Sequence, residues 1–187
     1  MNLPNTLSLI RIVLVPIFTA LFFLTVIAPV NYLLACIVFC AAAFTDFLDG
    51  YIARKYNLVT TLGKFLDPIA DKILVSSALI VLTVTIPDGW MKTAYTVAVC
   101  VIMARELMVS AFRQIAATKN FVMAADMAGK IKTVFQDFAI IILLLWLYLD
   151  IEIVFYVGLA LTGVATVLTI VSAVNYLVKN RAVLKND

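Results

Sequence analysis

The chain has 187 residues, 65% of them hydrophobic and only 13% charged, with a formal net charge of +3 and no histidine. A soluble domain carries roughly 25% charged residues, so this composition excludes a water-exposed globule, a disordered chain and a disulfide-built secreted domain. The missing imidazole removes histidine ligands, histidine bases and Ser-His-Asp hydrolysis, and so small a net charge does not point to nucleic acid.

The bilayer is the natural solvent for such a chain. A spanning helix takes about 20 apolar residues, and six apolar segments follow one another at 12–28, 32–51, 62–86, 94–117, 128–149 and 154–178. The pattern predicts an all-α polytopic membrane protein with six transmembrane helices, in one domain over 1–187. Ahead of the first span, Leu3, Leu7, Ile10 and Leu14 keep helical spacing while Asn5, Ser8 and Arg11 fall on another face. This reads as a short N-terminal amphipathic helix in the membrane interface, running into the span; a first span that begins early is the alternative. No basic leader or small-residue cleavage site marks a signal peptide. Pro29, the polar run 55–61, Pro87-Asp88-Gly89, Lys119-Asn120 and Asp150 separate the segments. The short loops imply that successive helices are antiparallel. Cys36, Cys40 and Cys100 lie in apolar runs and read as small core residues.

Orientation follows from the basic residues. Arg54 and Lys55, then Arg113, Lys119, Lys130 and Lys132, then Lys179, Arg181 and Lys185 all fall on one side of a six-span chain, against Lys92 alone on the other. Both termini are therefore expected in the cytoplasm.

The second and third segments meet in a stretch rich in charge. Asp46, Asp49 and Ala53 are spaced by three and four, and Gly63, Asp67 and Asp71 by four and four, so each set shares one helical face. Antiparallel packing across a short cytoplasmic turn brings the faces together. Carboxylates near a bilayer are costly and mark function by default. Four of them converging cannot all stay ionised without a cation, and hard oxygen donors point to Mg²⁺, Mn²⁺ or Ca²⁺, with room for two ions as in phosphoryl-transfer sites. Pairing with Arg54, Lys64 and Lys72 is the structural alternative. Gly50 and Gly63 let a ligand approach the backbone or let helices pack closely, and Arg54 can clamp a phosphate or anchor the helix.

This stretch closely resembles the signature of the CDP-alcohol phosphatidyltransferase family, D-x2-D-G-x2-A-R followed after seven or eight residues by G-x3-D-x3-D. Asp46, Asp49, Gly50, Ala53, Arg54, Gly63, Asp67 and Asp71 fill every fixed position. The resemblance implies that an alcohol attacks the β-phosphorus of a CDP-linked donor and CMP leaves. It assigns Asp46, Asp49 and Asp67 to two divalent ions, Mg²⁺ or Mn²⁺. Asp71 is the general base and also touches a metal, and Asp46, Gly50, Ala53, Arg54 and Gly63 accommodate the CDP moiety. It also implies a homodimer in the cytoplasmic membrane with a cytoplasmic active site.

Arg105 and Arg113 share a face of the fourth segment, and Gly129, Lys130, Lys132 and Thr133 open the fifth. Arg105, Arg113, Lys130 and Lys132 are expected to form a cationic pocket for an acceptor that carries a phosphate; an Arg105–Glu106 ion pair is the structural alternative. Together with Pro4, Asn5, Thr6, Leu7 and Arg11, these residues resemble the branch of the family that takes CDP-diacylglycerol as donor and glycerol 3-phosphate as acceptor. Branches using inositol phosphate, serine or phosphatidylglycerol share the core. A cation transporter is the rival of another class; against it, the acids gather at one end of the bundle, and beyond Asp71 no carboxylate continues to the outer face through the second and third segments.

Overall fold

The computed structural model describes residues 3–55, 61–118 and 127–179, with side chains described except at 3–5, 46–55, 61–68, 113–118, 128, 177 and 179. Among the described residues every regular element is helical: α1 (Leu3–Phe23), a single 3₁₀ turn at Thr25–Ile27, α2 (Val30–Lys55), α3 (Thr61–Thr85), α4 (Trp90–Thr118), α5 (Met127–Leu149) and α6 (Glu152–Lys179). The six apolar segments thus become six helices. Four of them contain stretches long and apolar enough to cross a bilayer: Thr6–Phe23, Trp90–Phe112, Gly129–Leu149 and Glu152–Tyr176. The protein is embedded in a membrane.

The first boundary differs from the sequence expectation. α1 runs unbroken from Leu3 and stops at Phe23, so the expected interfacial helix and the start of the first span form one element. Its polar face is also not turned to water: Ser8 and Arg11 are fully buried. The helix ends early because its last carbonyls find other donors. Leu24 N–H bonds to Leu21 O at 3.1 Å, and the Asn31 side-chain amide donates to Phe22 O at 2.9 Å. Among the described residues the breaks at Pro87-Asp88-Gly89 and at Asp150 fall where the sequence puts them, while those at 56–60 and Lys119-Asn120 lie outside the described residues. Gly89 has φ +133, a conformation natural to glycine. Asp150, at φ 54, closes α5 by donating its N–H to Trp146 O at 2.8 Å.

Two compact units divide the chain. In the first (1–85 and 140–155), α1 packs along both α2 and α3, which also touch each other. The inward residues follow helical spacing: Val15, Phe18 and Phe22 from α1, Ala35, Phe39 and Ala42 from α2, and Leu74, Ala78 and Leu82 from α3. Phe18 lies 6.2 Å from Phe39 and Phe22 5.4 Å from Tyr32, centroid to centroid. The alanines let the helices approach closely, as small residues do in membranes.

The second unit (86–139 and 156–187) has a more polar interior. Tyr95, Val99, Ile102, Arg105 and Val109 line the inner face of α4; Lys132, Gln136 and Ala139 that of α5; Thr162, Ala165, Thr169, Ser172 and Tyr176 that of α6. The outer face of α6 is largely aliphatic, with Val164, Val167, Ile170, Val171 and Val174 exposed. A helix more apolar outside than inside is ordered by lipid rather than water. Cys36 is core, as expected, but Cys100 is exposed on α4 rather than buried.

Candidate active site

The carboxylate motif occupies the facing ends of two consecutive helices in the first unit. α2 continues as helix through Asp46, Asp49, Gly50, Ala53 and Arg54, and α3 is already helical at Gly63, Asp67 and Asp71. With the backbone helical at these positions, the three- and four-residue spacings give Asp46 and Asp49 neighbouring register positions on α2, and Asp67 and Asp71 on α3. The side chains of Asp46, Asp49, Gly50, Ala53, Arg54, Gly63 and Asp67 lie outside the described residues. Asp71 is half-buried, beside the fully buried Ala70.

α1 braces this end of α2. The buried Arg11 sends Nε to the Ala42 carbonyl at 3.2 Å, and Thr45 Oγ1 donates to the same carbonyl at 2.6 Å. In an α-helix that carbonyl also receives the N–H of residue 46. A cationic side chain from α1 thus grips the backbone one turn before the first motif aspartate. Sequence reading noted Arg11 but not this grip, since helical spacing within α1 does not reveal which helix its polar face meets.

The second unit carries the other charged cluster. Arg105 and Lys132 are both buried, and both face the Glu106 carboxylate: Arg105 Nη1 is 3.7 Å from Oε1, and Lys132 Nζ is ion-paired to the same oxygen. Arg105 Nη2 donates to Ser172 Oγ on α6 at 2.6 Å. Gly129, one turn before Lys132 on α5, lies against the same point. A Cβ there would sit 3.4 Å from Ser172 Oγ and 3.5 Å from Arg105 Nη2.

Of the four residues expected to form the cationic pocket, the structure brings Arg105 and Lys132 together around Glu106. Lys130 is exposed, and two residues from Lys132 it projects from the other side of α5. The side chain of Arg113 lies outside the described residues. Ser172 was missed altogether. Both cations face the Glu106 carboxylate in a region of low polarity, and the planar guanidinium of Arg105 matches a phosphate or carboxylate.

The oxygen-only donor set on α2 and α3 fits a hard divalent cation. Among the described residues no group of three or more acidic, histidine or cysteine side chains comes together.

Comparison with known proteins adds the following. A family model described as CDP-alcohol phosphatidyltransferase matches residues 1–175. A Bacillus subtilis protein named CDP-diacylglycerol–glycerol-3-phosphate 3-phosphatidyltransferase is 43% identical, over 100% of this chain and 98% of its own length. Proteins of the same name from Shigella flexneri serotype 5b and Escherichia coli K12 are 40% and 39% identical, each over 97% of this chain and 96% of theirs.

Proposed function

The chain belongs to the CDP-alcohol phosphatidyltransferase family, and from that premise we propose how its residues divide the work of one reaction. The enzyme transfers the phosphatidyl group of CDP-diacylglycerol to glycerol 3-phosphate, releasing CMP and forming phosphatidylglycerophosphate. The observation that carries this choice of substrates is near-full-length identity of 39–43% to relatives named for that reaction.

A hydroxyl oxygen of the acceptor attacks the β-phosphorus of the donor. The bond from that phosphorus to the bridging oxygen breaks, and the oxygen leaves with CMP. Asp71 takes the proton from the attacking hydroxyl, a role supported by its register with Asp67 on α3 and its half-buried side chain. Asp46, Asp49 and Asp67, joined by Asp71, are the carboxylates to hold two divalent ions, Mg²⁺ or Mn²⁺. Such ions, when bound, neutralise the diphosphate and ease the departure of CMP. Gly50, Ala53 and Gly63 keep the two helix faces shallow for the CDP moiety, and Arg54 pairs with its phosphates. Arg105 and Lys132 seat the phosphate of the acceptor, Arg113 shares that charge, and the exposed Lys130 attracts the acceptor on its approach.

All six helices span the cytoplasmic membrane, with the first turn of α1 at the interface. Both termini and the aspartates lie at the cytoplasmic face, where the basic residues concentrate. The enzyme works as a homodimer, in keeping with its family resemblance. The decisive experiment is CMP release by purified enzyme from CDP-diacylglycerol with a panel of acceptors. Glycerol 3-phosphate is expected to be fastest; faster release with serine or inositol would overturn the substrate assignment and leave the aspartate chemistry standing.

A further inference from the structure

Resting on the assignment of Arg105 to the acceptor's phosphate, we propose that Ser172 of α6 is a positioning residue for acceptor recognition, holding the Arg105 guanidinium in its binding orientation. Three helices meet at this point. Arg105 comes from α4, Ser172 from α6, and Gly129 of α5 closes the third side with backbone alone. The Arg105 Nη2 to Ser172 Oγ bond is short, at 2.6 Å, and Ser172 is fully buried.

Ser172 is set apart from the other hydroxyls of its helix. Thr162, Thr166 and Thr169 each donate to the carbonyl four residues earlier, at 2.9, 2.8 and 2.6 Å, as hydroxyls in membrane helices do by default. Ser172 instead accepts from a cation on another helix. With Nη2 held by Ser172 and Nη1 turned toward Glu106 at 3.7 Å, rotation of the guanidinium plane is fixed from two sides. A planar donor fork held in place loses little freedom when a phosphate docks, and that preorganisation appears as affinity. A Cβ at position 129 would reach ordinary van der Waals contact with both the hydroxyl and the guanidinium, so the α5 backbone borders the same point.

The test is a double-mutant cycle on the detergent-purified enzyme, read as CMP release against glycerol 3-phosphate at saturating CDP-diacylglycerol. Ser172→Ala is expected to raise the acceptor KM roughly five- to tenfold, with kcat and the donor KM little changed. Ser172→Thr, which keeps the hydroxyl, restores most of the loss. In an Arg105→Ala background Ser172→Ala adds nothing, because its effect passes through the guanidinium. If Ser172→Ala fails to fold, Ser172→Cys, of similar size and a poor acceptor, takes its place with the same expected KM change. An equal rise in both backgrounds, or a lower kcat at unchanged KM, overturns the proposal while the role of Arg105 stands. An unchanged acceptor KM in Arg105→Ala alone overturns the reading on which the proposal rests.

Discussion

Replacing Glu106 by glutamine removes the carboxylate that two buried cations face while keeping nearly the same shape. Lys132 is 2% and Arg105 8% exposed, and the Glu106 side chain is 20% exposed. None of the three is solvated well enough for water to take over the lost interaction. Removing one partner of a buried ion pair costs about 3–5 kcal/mol, because the remaining charge loses its counter-ion in a poorly hydrated site. Glu106 is partly exposed, which argues for the lower end, about 3 kcal/mol. For a chain of this size 1 kcal/mol moves Tm by roughly 2–4 °C, so Glu106→Gln should lower Tm by roughly 6–12 °C. Far-UV circular dichroism melts in detergent read this directly. Adding Lys132→Met removes one stranded charge and should recover more than half of the loss. The reasoning is refuted if Glu106→Gln melts within about 2 °C of wild type, or if the double variant melts no higher than the single one.

Excess chelator should abolish CMP release, and Asp46→Asn, Asp49→Asn and Asp67→Asn should each weaken Mn²⁺ binding, measured by calorimetry, together with activity. Asp71→Asn should lose roughly 10²-fold or more in kcat while the donor still binds, as single-turnover and donor-binding measurements would show. Arg113→Ala should raise the KM for glycerol 3-phosphate roughly tenfold or more and leave that for CDP-diacylglycerol nearly unchanged, with Arg54→Ala showing the opposite bias. In the turn before α4, Lys92 Nζ sits 2.8 Å from Asp88 Oδ1 and holds that carboxyl below its ordinary range. The stabilisation from a lowered carboxyl pKa is complete above the usual carboxylate range and is lost as pH falls through the native value. Asp88→Asn should therefore leave the pH profile of activity unchanged from about pH 5 to 8, and Lys92→Met should raise the Asp88 carboxyl titration followed by NMR.

Two helix ends were legible because the break is written in local chemistry: Gly89 with its positive φ and Asp150 at the end of α5. The end of α1 was not, since residues 24–28 are largely apolar and the donor that takes the Phe22 carbonyl comes from Asn31, beyond the turn. The aspartate motif was readable as placement on two helices, because its spacing needs only helical geometry to become a face. The cationic cluster was readable in part. Arg105 and Lys132 announce themselves as charges in apolar segments, but their pairing with Glu106 depends on which sides of α4 and α5 meet. Ser172 gave no signal, being one small hydroxyl among several in α6, distinguished only by a guanidinium 67 residues away in sequence.

The hydroxyl ladder of α6 bears on how the protein is made. Thr162, Thr166 and Thr169 satisfy themselves on carbonyls of their own helix, so these groups need no neighbour when the segment leaves the translocon. These three threonines therefore add little cost when α6 partitions into lipid, whereas Ser172 finds its partner only on α4. Arg105 and Glu106 both lie on α4, whereas Lys132 of α5 meets the Glu106 carboxylate only across the helix boundary. Released alone, α5 would carry the Lys132 charge into the hydrocarbon without that carboxylate. The Lys132–Glu106 pair thus favours α5 entering the bilayer against α4 rather than alone.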